Sequence, residues 1–272
     1  ATHLFPNIMV GIATVVFGFV ATRGNPDGLV LARTWLVVMC GHAAIGLSND
    51  YVDRNRDALA QPDKPIPSGD ISPDLAYWLV IVLLAIQVIL YFTLPVGAAL
   101  LAFAATASGL LYNLRLKDTV LSWVPYFISF STYILFLWSA LDRFDPKLLW
   151  LYPPAFLLTI GINLANALPD IDSDRQRHRS KGLAHRLGIR RTRVACWLIF
   201  ALTPLLCLGL TNVTPVNRVY IEVLGLCGVV VVLANILLYL RLPRPQALEL
   251  TWKLSCLSTF CTAAGWLAAL SL

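Results

Sequence analysis

Charge is scarce in this sequence. Only 13% of its 272 residues are charged, against 58% hydrophobic, and the mean hydropathy is +0.71. A soluble domain usually carries about 25% charged residues, so a soluble fold is excluded and the composition describes a polytopic α-helical membrane protein. Cysteines in metal-binding or redox spacing are lacking too. Cys40, Cys196, Cys207, Cys227, Cys256 and Cys261 all fall inside apolar runs, with no CxxC among them. They read as small buried hydrophobes, which excludes a disulfide scaffold and a zinc site. No G-x-S-x-G, H-E-x-x-H or P-loop is present. No basic n-region precedes the first apolar run, so a removable signal peptide is not expected. The net charge of +6 raises the question of nucleic acid, but the basic residues sit in loops between apolar runs. Membrane lipid is therefore their expected partner, and nucleic acid is not.

What the chain has in quantity is apolar length. Nine runs stand out, at about 5–22, 29–49, 74–93, 96–113, 119–140, 148–169, 192–211, 217–240 and 251–271. Each approaches the roughly 20 residues that cross a hydrocarbon core. Only Thr93, Leu94, Pro95 and Val96 separate the third from the fourth, so one broken hairpin is permitted there. The expected fold class is all-α, a single membrane domain over 1–272. If the first helix runs outward from the cytoplasm, sixteen of the 21 Lys and Arg residues fall in or beside the loops after even-numbered helices. That positive-inside bias orients the chain as an integral protein of a cytoplasmic membrane. It also puts two acidic stretches on the same, cytoplasmic side.

Those stretches carry the chemistry. The first runs Asn49-Asp50-Tyr51-Val52-Asp53-Arg54-Asn55-Arg56-Asp57, at the end of the second apolar run. The second, Asn166-Ala167-Leu168-Pro169-Asp170-Ile171-Asp172-Ser173-Asp174, ends the sixth. Carboxylates placed there are costly and need a partner, which makes a functional site the default reading. Both stretches contain Asn-x-x-x-Asp-x-x-x-Asp, a spacing slightly longer than one helical turn per step, so each trio lies along one face. Asp50 and Asp172 point away from those faces. The repeated pattern also hints at two four-helix halves plus one extra helix.

Mg2+ is held by one or two carboxylates plus substrate phosphates, so two such faces at one cavity would hold a metal-bridged pyrophosphate. Asn49, Asp50, Asp53, Asp57, Asp170 and Asp174 are the candidate metal ligands, and Asn49 and its counterpart Asn166 are candidate pyrophosphate contacts. Arg56 and Lys64 supply cations for phosphate. Lys64 opens Lys-Pro-Ile-Pro-Ser-Gly, where prolines stiffen the loop and Gly69 frees its exit. Tyr112 and Lys117, after the fourth run, are placed to meet a leaving oxygen and neutralise it, and Lys181 joins the second basic loop. For Tyr112 and Lys117 an ordinary interfacial tyrosine and lysine is an equal reading. His42, seven residues before Asn49 and on its face, reads more simply as a satisfied buried histidine. Charge stabilisation at a leaving pyrophosphate, in an apolar chamber that keeps water from an allylic cation, suits ionisation of an isoprenyl pyrophosphate.

Asn49-Asp50-x-x-Asp53-x-x-x-Asp57 is similar to the first signature of the UbiA superfamily of intramembrane prenyltransferases. Lys64-Pro65-Ile66-Pro67-Ser68-Gly69 resembles the basic-Pro-x-x-Ser/Ala-Gly element that follows it. Tyr112 to Lys117 resembles the tyrosine-lysine element after the fourth helix, and Asp170-x-x-x-Asp174 the second aspartate signature. The resemblance covers about 40 to 190, in the family's order. It implies nine helices in a bundle around a central cavity capped by cytoplasmic loops, Mg2+ as cofactor, and a prenyl pyrophosphate as substrate. By position it gives Asn49, Asp53, Asp57, Asp170 and Asp174 to the metals, and Arg56, Lys64, Lys117 and Lys181 to phosphate. It further implies transfer to an acceptor, a small aromatic one as in bacterial members. Two departures bear on the acceptor alone: Phe5-Pro6-Asn7 stands where a basic-Pro pair is often found, and Asp118 follows Lys117. The first rival is a cyclase of the same fold, which makes a cyclic terpene without an acceptor. A transporter is the second, disfavoured because its cation sites lie near the midplane.

Overall fold

Backbone groups that enter hydrocarbon must be satisfied within the protein, and the apolar runs achieve this as helices. The structure, a computed structural model, describes residues 4–172 and 182–272. Among these residues there are nine α-helices and no strand. In order they are α1 (Leu4–Ala21), α2 (Gly28–Ala60), α3 (Pro73–Tyr91), α4 (Val96–Leu111), α5 (Trp123–Ala140), α6 (Tyr152–Ala167), α7 (Leu183–Leu210), α8 (Arg218–Tyr239) and α9 (Arg244–Ser271). Eight helical segments are long and apolar enough to cross a membrane, and α1 is apolar but shorter. The third and fourth apolar runs form two helices, α3 ending at the cap Phe92 and α4 beginning after Pro95. All six cysteines are free. Cys196 and Cys207 are buried, but Cys227 is exposed, because it falls on the outer side of α8 rather than in the core.

The chain divides into two compact units. The first holds α1 to α4, the turn after α4, and Thr132–Phe144. Its centre is α2, which packs against α1, α3 and α4. Asp27 caps the start of α2, Oδ1 accepting from the amides of Leu29 and Val30 at 2.9 Å. Val37, Ala98, Ala102, Phe136 and Ala140 form an apolar core. A buried polar pin crosses it: Gln87 Nε2 on α3 donates to Val37 O on α2 at 3.0 Å and to Thr106 Oγ1 on α4 at 2.9 Å. Small residues at the interface and interhelical hydrogen bonds of this kind hold helices together where lipid supplies no hydrophobic drive.

The second unit holds Lys117–Ser131 and the elements from Asp145 onward. α6 packs on α7 and α9, and α8 on α9. Leu158, Ile162, Leu164, Leu168, Phe200 and Val232 belong to its main core. Thr251 Oγ1 donates to Asn235 Oδ1 at 3.0 Å, and Ser258 Oγ to Gly228 O at 3.0 Å, tying α9 to α8. α7 breaks at Gly188, whose φ of 73° and ψ of 164° only glycine adopts without strain.

Candidate active site

α2 outlasts its apolar run. It continues unbroken to Ala60, so Asn49, Asp53 and Asp57 ride on consecutive turns of one helix, as their spacing requires. Asn49, Asp50, Asp53 and Arg56 are half-buried, and Asp57 is only 5% exposed. The next loop folds back onto them: Lys64 Nζ lies 2.8 Å from Asp57 Oδ2 and 3.5 Å from Asp50 Oδ1. Asp50 therefore does not point away from the acidic face, as its sequence position had implied. A spacing of four drifts about 40° per step at 100° per residue, so by Asp57 the face has slid round to within about 20° of Asp50.

Lys64 is held by its loop. Ser68 N donates to Lys64 O at 2.9 Å and Ile71 N to Pro65 O at 2.9 Å, while Gly69, at φ +86°, turns the chain toward α3. Its side chain is 13% exposed. Burial draws the ammonium's pKa down, but the hydrogen bond and charge of Asp57, with those of Asp50, outweigh this and hold it above the ordinary 10.5. Such a pair contributes fully below the ordinary lysine value and is lost only as pH rises through the raised one. Lys64 is thus a permanent cation, and a profile of turnover against pH is expected to show no limb that Lys64→Arg removes below about pH 10. Arg54 turns away, Nη1 donating to Tyr51 O at 2.7 Å with the guanidinium 4.4 Å from the Tyr51 ring centre.

After α4 the backbone widens into a π-helical turn, Tyr112–Leu116, the kind of irregularity often found at functional sites. Tyr112 is half-buried and Asn113 buried. Asn113 Oδ1 receives Asn49 Nδ2 at 3.1 Å, so this amide is part of the site. Sequence reasoning passed over it, although a lone amide at the end of an apolar run was a usable signal. His42 Nδ1 meets Asn7 Oδ1, an acceptor for a ring N–H, in keeping with a satisfied histidine.

In the second unit the expected single face is interrupted. α6 stops at Ala167, and Leu168–Asp170 tightens into a 3-10 turn at Pro169, which has no amide hydrogen to donate. Four residues that would advance about 40° on an α-helix advance roughly 100° here. Asp170 is exposed and Asn166 half-buried, with Nδ2 donating to Tyr126 OH at 3.2 Å. Tyr126 was not foreseen, since nothing marks it among the aromatics of α5. Asp172 is taken by Arg244 Nη2 at 2.9 Å, an exposed pair. Asp174 and Lys181 lie outside the described residues, and Lys117 is half-buried. Among the described residues, no three His, Cys, Asp or Glu side chains gather closely enough to hold a metal alone. The donors at the end of α2 are all hard oxygens, and Mg2+ needs only one or two carboxylates beside phosphate and water. The residues fit such an ion shared with a phosphate ligand.

The model of the UbiA prenyltransferase family matches residues 10–267. The digeranylgeranylglyceryl phosphate synthase of Methanoregula boonei is 31% identical over 194 residues, 68% of this chain and 66% of that protein. That of Thermococcus kodakarensis is 31% identical over 110 residues, 40% of each. The matches thus span two thirds or less of these relatives' own length. Both organisms are archaea, so the expected bacterial kinship is not borne out. Among solved structures, a UbiA homolog from Aeropyrum pernix superposes with a TM-score of 0.73 at 19% identity, covering 94% of this chain and 96% of that one. A UbiA homolog from Archaeoglobus fulgidus bound to GPP and Mg2+ gives 0.71 at 18% identity, covering 100% of both. This likeness is one of fold.

Proposed function

The chain belongs to the UbiA prenyltransferase family, and from that premise we propose that it transfers a prenyl group from a prenyl pyrophosphate to a lipid acceptor, with Mg2+. The observation that carries the reading is Lys64, a half-buried permanent cation that folds back from the loop after α2 onto Asp57 and Asp50, beside the oxygen donors at that helix end. A metal pyrophosphate presents that same alternation of charge. Asn49, Asp50, Asp53 and Asp57 would hold Mg2+ from the first stretch, and Asp170, with Asp174, from the second. An ion held by these residues would supply positive charge against the departing pyrophosphate. Lys64 donates to phosphate oxygens as a fixed charge, joined by Arg56, Lys117 and Lys181, and Tyr112 donates to the leaving oxygen. The allylic C–O bond breaks with its electron pair on the pyrophosphate. The acceptor hydroxyl then bonds the same carbon and gives up its proton to the departed pyrophosphate.

The relatives' name supplies the acceptor class. Taking one geranylgeranyl group from digeranylgeranylglyceryl phosphate leaves a geranylgeranylglyceryl phosphate. We therefore favour a prenylated glyceryl phosphate over the small aromatic acceptor implied by the sequence resemblance. The test is turnover in detergent or vesicles with Mg2+ and prenyl pyrophosphates of increasing length, offered geranylgeranylglyceryl phosphate, 4-hydroxybenzoate or no acceptor. Ether-linked product and pyrophosphate release that depend on the glyceryl phosphate are expected. A prenylated benzoate would restore the aromatic acceptor, and a cyclic terpene formed without acceptor would replace the transferase with a cyclase.

A further inference from the structure

Resting on the proposed role of Asn49 as a metal ligand, we propose that Asn113 is a positioning residue that fixes which end of the Asn49 carboxamide faces the ion. The argument is one of donors and acceptors. Asn113 Nδ2 lies 2.8 Å from Ile45 O and 2.7 Å from Ser48 Oγ. A backbone carbonyl only accepts. Ser48 spends its one hydroxyl hydrogen on Ile45 O, at 2.8 Å, and so toward Asn113 it too only accepts. Both contacts therefore demand the NH2 end of Asn113, and its Oδ1 is left facing Asn49 at 3.1 Å. That oxygen requires a donor. Asn49 must present Nδ2 to it, and its Oδ1 turns the other way, as the end available to a cation.

The lock is built into the packing. Asn113 is 6% exposed, and Gly109, one helical turn before it on α4, lets Ile45 come close. A Cβ on Gly109 would stand 2.4 Å from Ile45 Cδ1. The π-helical turn then brings Asn113 against the end of α2. Among the described residues nothing of the kind fixes Asn166, whose Nδ2 meets a phenol that both donates and accepts. Orienting partners of metal ligands typically cost about 10- to 100-fold in metal affinity when removed.

The experiment measures Mn2+ binding from the free-ion EPR signal, with a non-ionisable thio analogue of a prenyl pyrophosphate present. Thermal unfolding of each variant is followed alongside. Asn113→Ala is expected to weaken Mn2+ binding about tenfold or more, because the Asn49 amide is then free to turn its nitrogen to the ion. In an Asn49→Asp background both oxygens are equivalent, and Asn113 Oδ1 faces a carboxylate. There Asn113→Ala should cause no further loss, or a gain. An equal loss in both backgrounds would make Asn113 merely structural and overturn the proposal while leaving Asn49 as a ligand. Unchanged Mn2+ binding in Asn49→Ala would instead remove Asn49 from the metal site, and this inference with it.

Discussion

Asp57→Asn is expected to slow pyrophosphate release about a thousand-fold at saturating Mg2+, close to the effect of removing one preorganised group from a developing charge. That factor corresponds to about 4 kcal/mol of barrier. Asp57 is singled out by its surroundings. It is the one carboxylate of the first stretch buried to 5% exposure, and charges act most strongly where water is displaced. Asparagine preserves the side chain's shape and removes only the charge, so the folded state survives better than with alanine. Lys64 still has Asp50 at 3.5 Å. Asp172→Asn serves as the matched control, since among the described residues its partner is Arg244, in a pair 58% exposed on each side. Surface pairs of that kind contribute little, and turnover within twofold of the parent is expected. Single-turnover release of pyrophosphate from a prenyl donor, with thermal unfolding measured in parallel, decides the matter. Folded Asp57→Asn working within tenfold of the parent would sink the assignment of this carboxylate.

The contrast between the two acidic stretches explains how far the sequence could be read. The apolar runs announce nine helices because hydrocarbon admits only helices or closed barrels, and runs of about 20 apolar residues have the length of helices. The first Asn/Asp trio was legible because α2 stays helical to Ala60, so spacing translates directly into a face. The same inference fails at Asp170, where Pro169 tightens the turn and changes the angle per residue. Asp50 was misplaced by treating a spacing of four as a straight line, when the face it describes drifts around the axis. The stiffness of the Lys64 loop was written in Pro65, Pro67 and Gly69, but its seat on Asp57 depends on the loop's return path, which no local pattern encodes. Asn113 was marked only as a lone amide at the end of an apolar run, and its role could not be read from that for a related reason. Its role arises from the approach of α4 to α2 at Gly109 and Ile45, a contact between segments some 64 residues apart.

Lys64→Ala is expected to show two losses that Mg2+ separates. Without the ion, Asp57 keeps its burial and loses its nearest cation. Removing one partner of a buried pair costs about 3–5 kcal/mol, and with Lys64 13% exposed the lower end applies. The unfolding midpoint should fall accordingly. Adding Mg2+ supplies a positive charge to the same oxygens and stabilises the folded state by mass action, so the gap to the parent should narrow. The second loss does not recover. A charge-assisted hydrogen bond to phosphate is worth about 1.5–3 kcal/mol, which corresponds to roughly a ten- to hundredfold rise in KM for the prenyl pyrophosphate. Lys64→Arg retains the charge on a different geometry and should recover the midpoint more fully than the KM. Thermal melts with and without Mg2+, set beside KM for the donor, distinguish these contributions. A gap that Mg2+ leaves unchanged, together with an unaltered KM, would mean that Lys64 only pins its loop, and the charge alternation at the end of α2 would no longer point to a pyrophosphate.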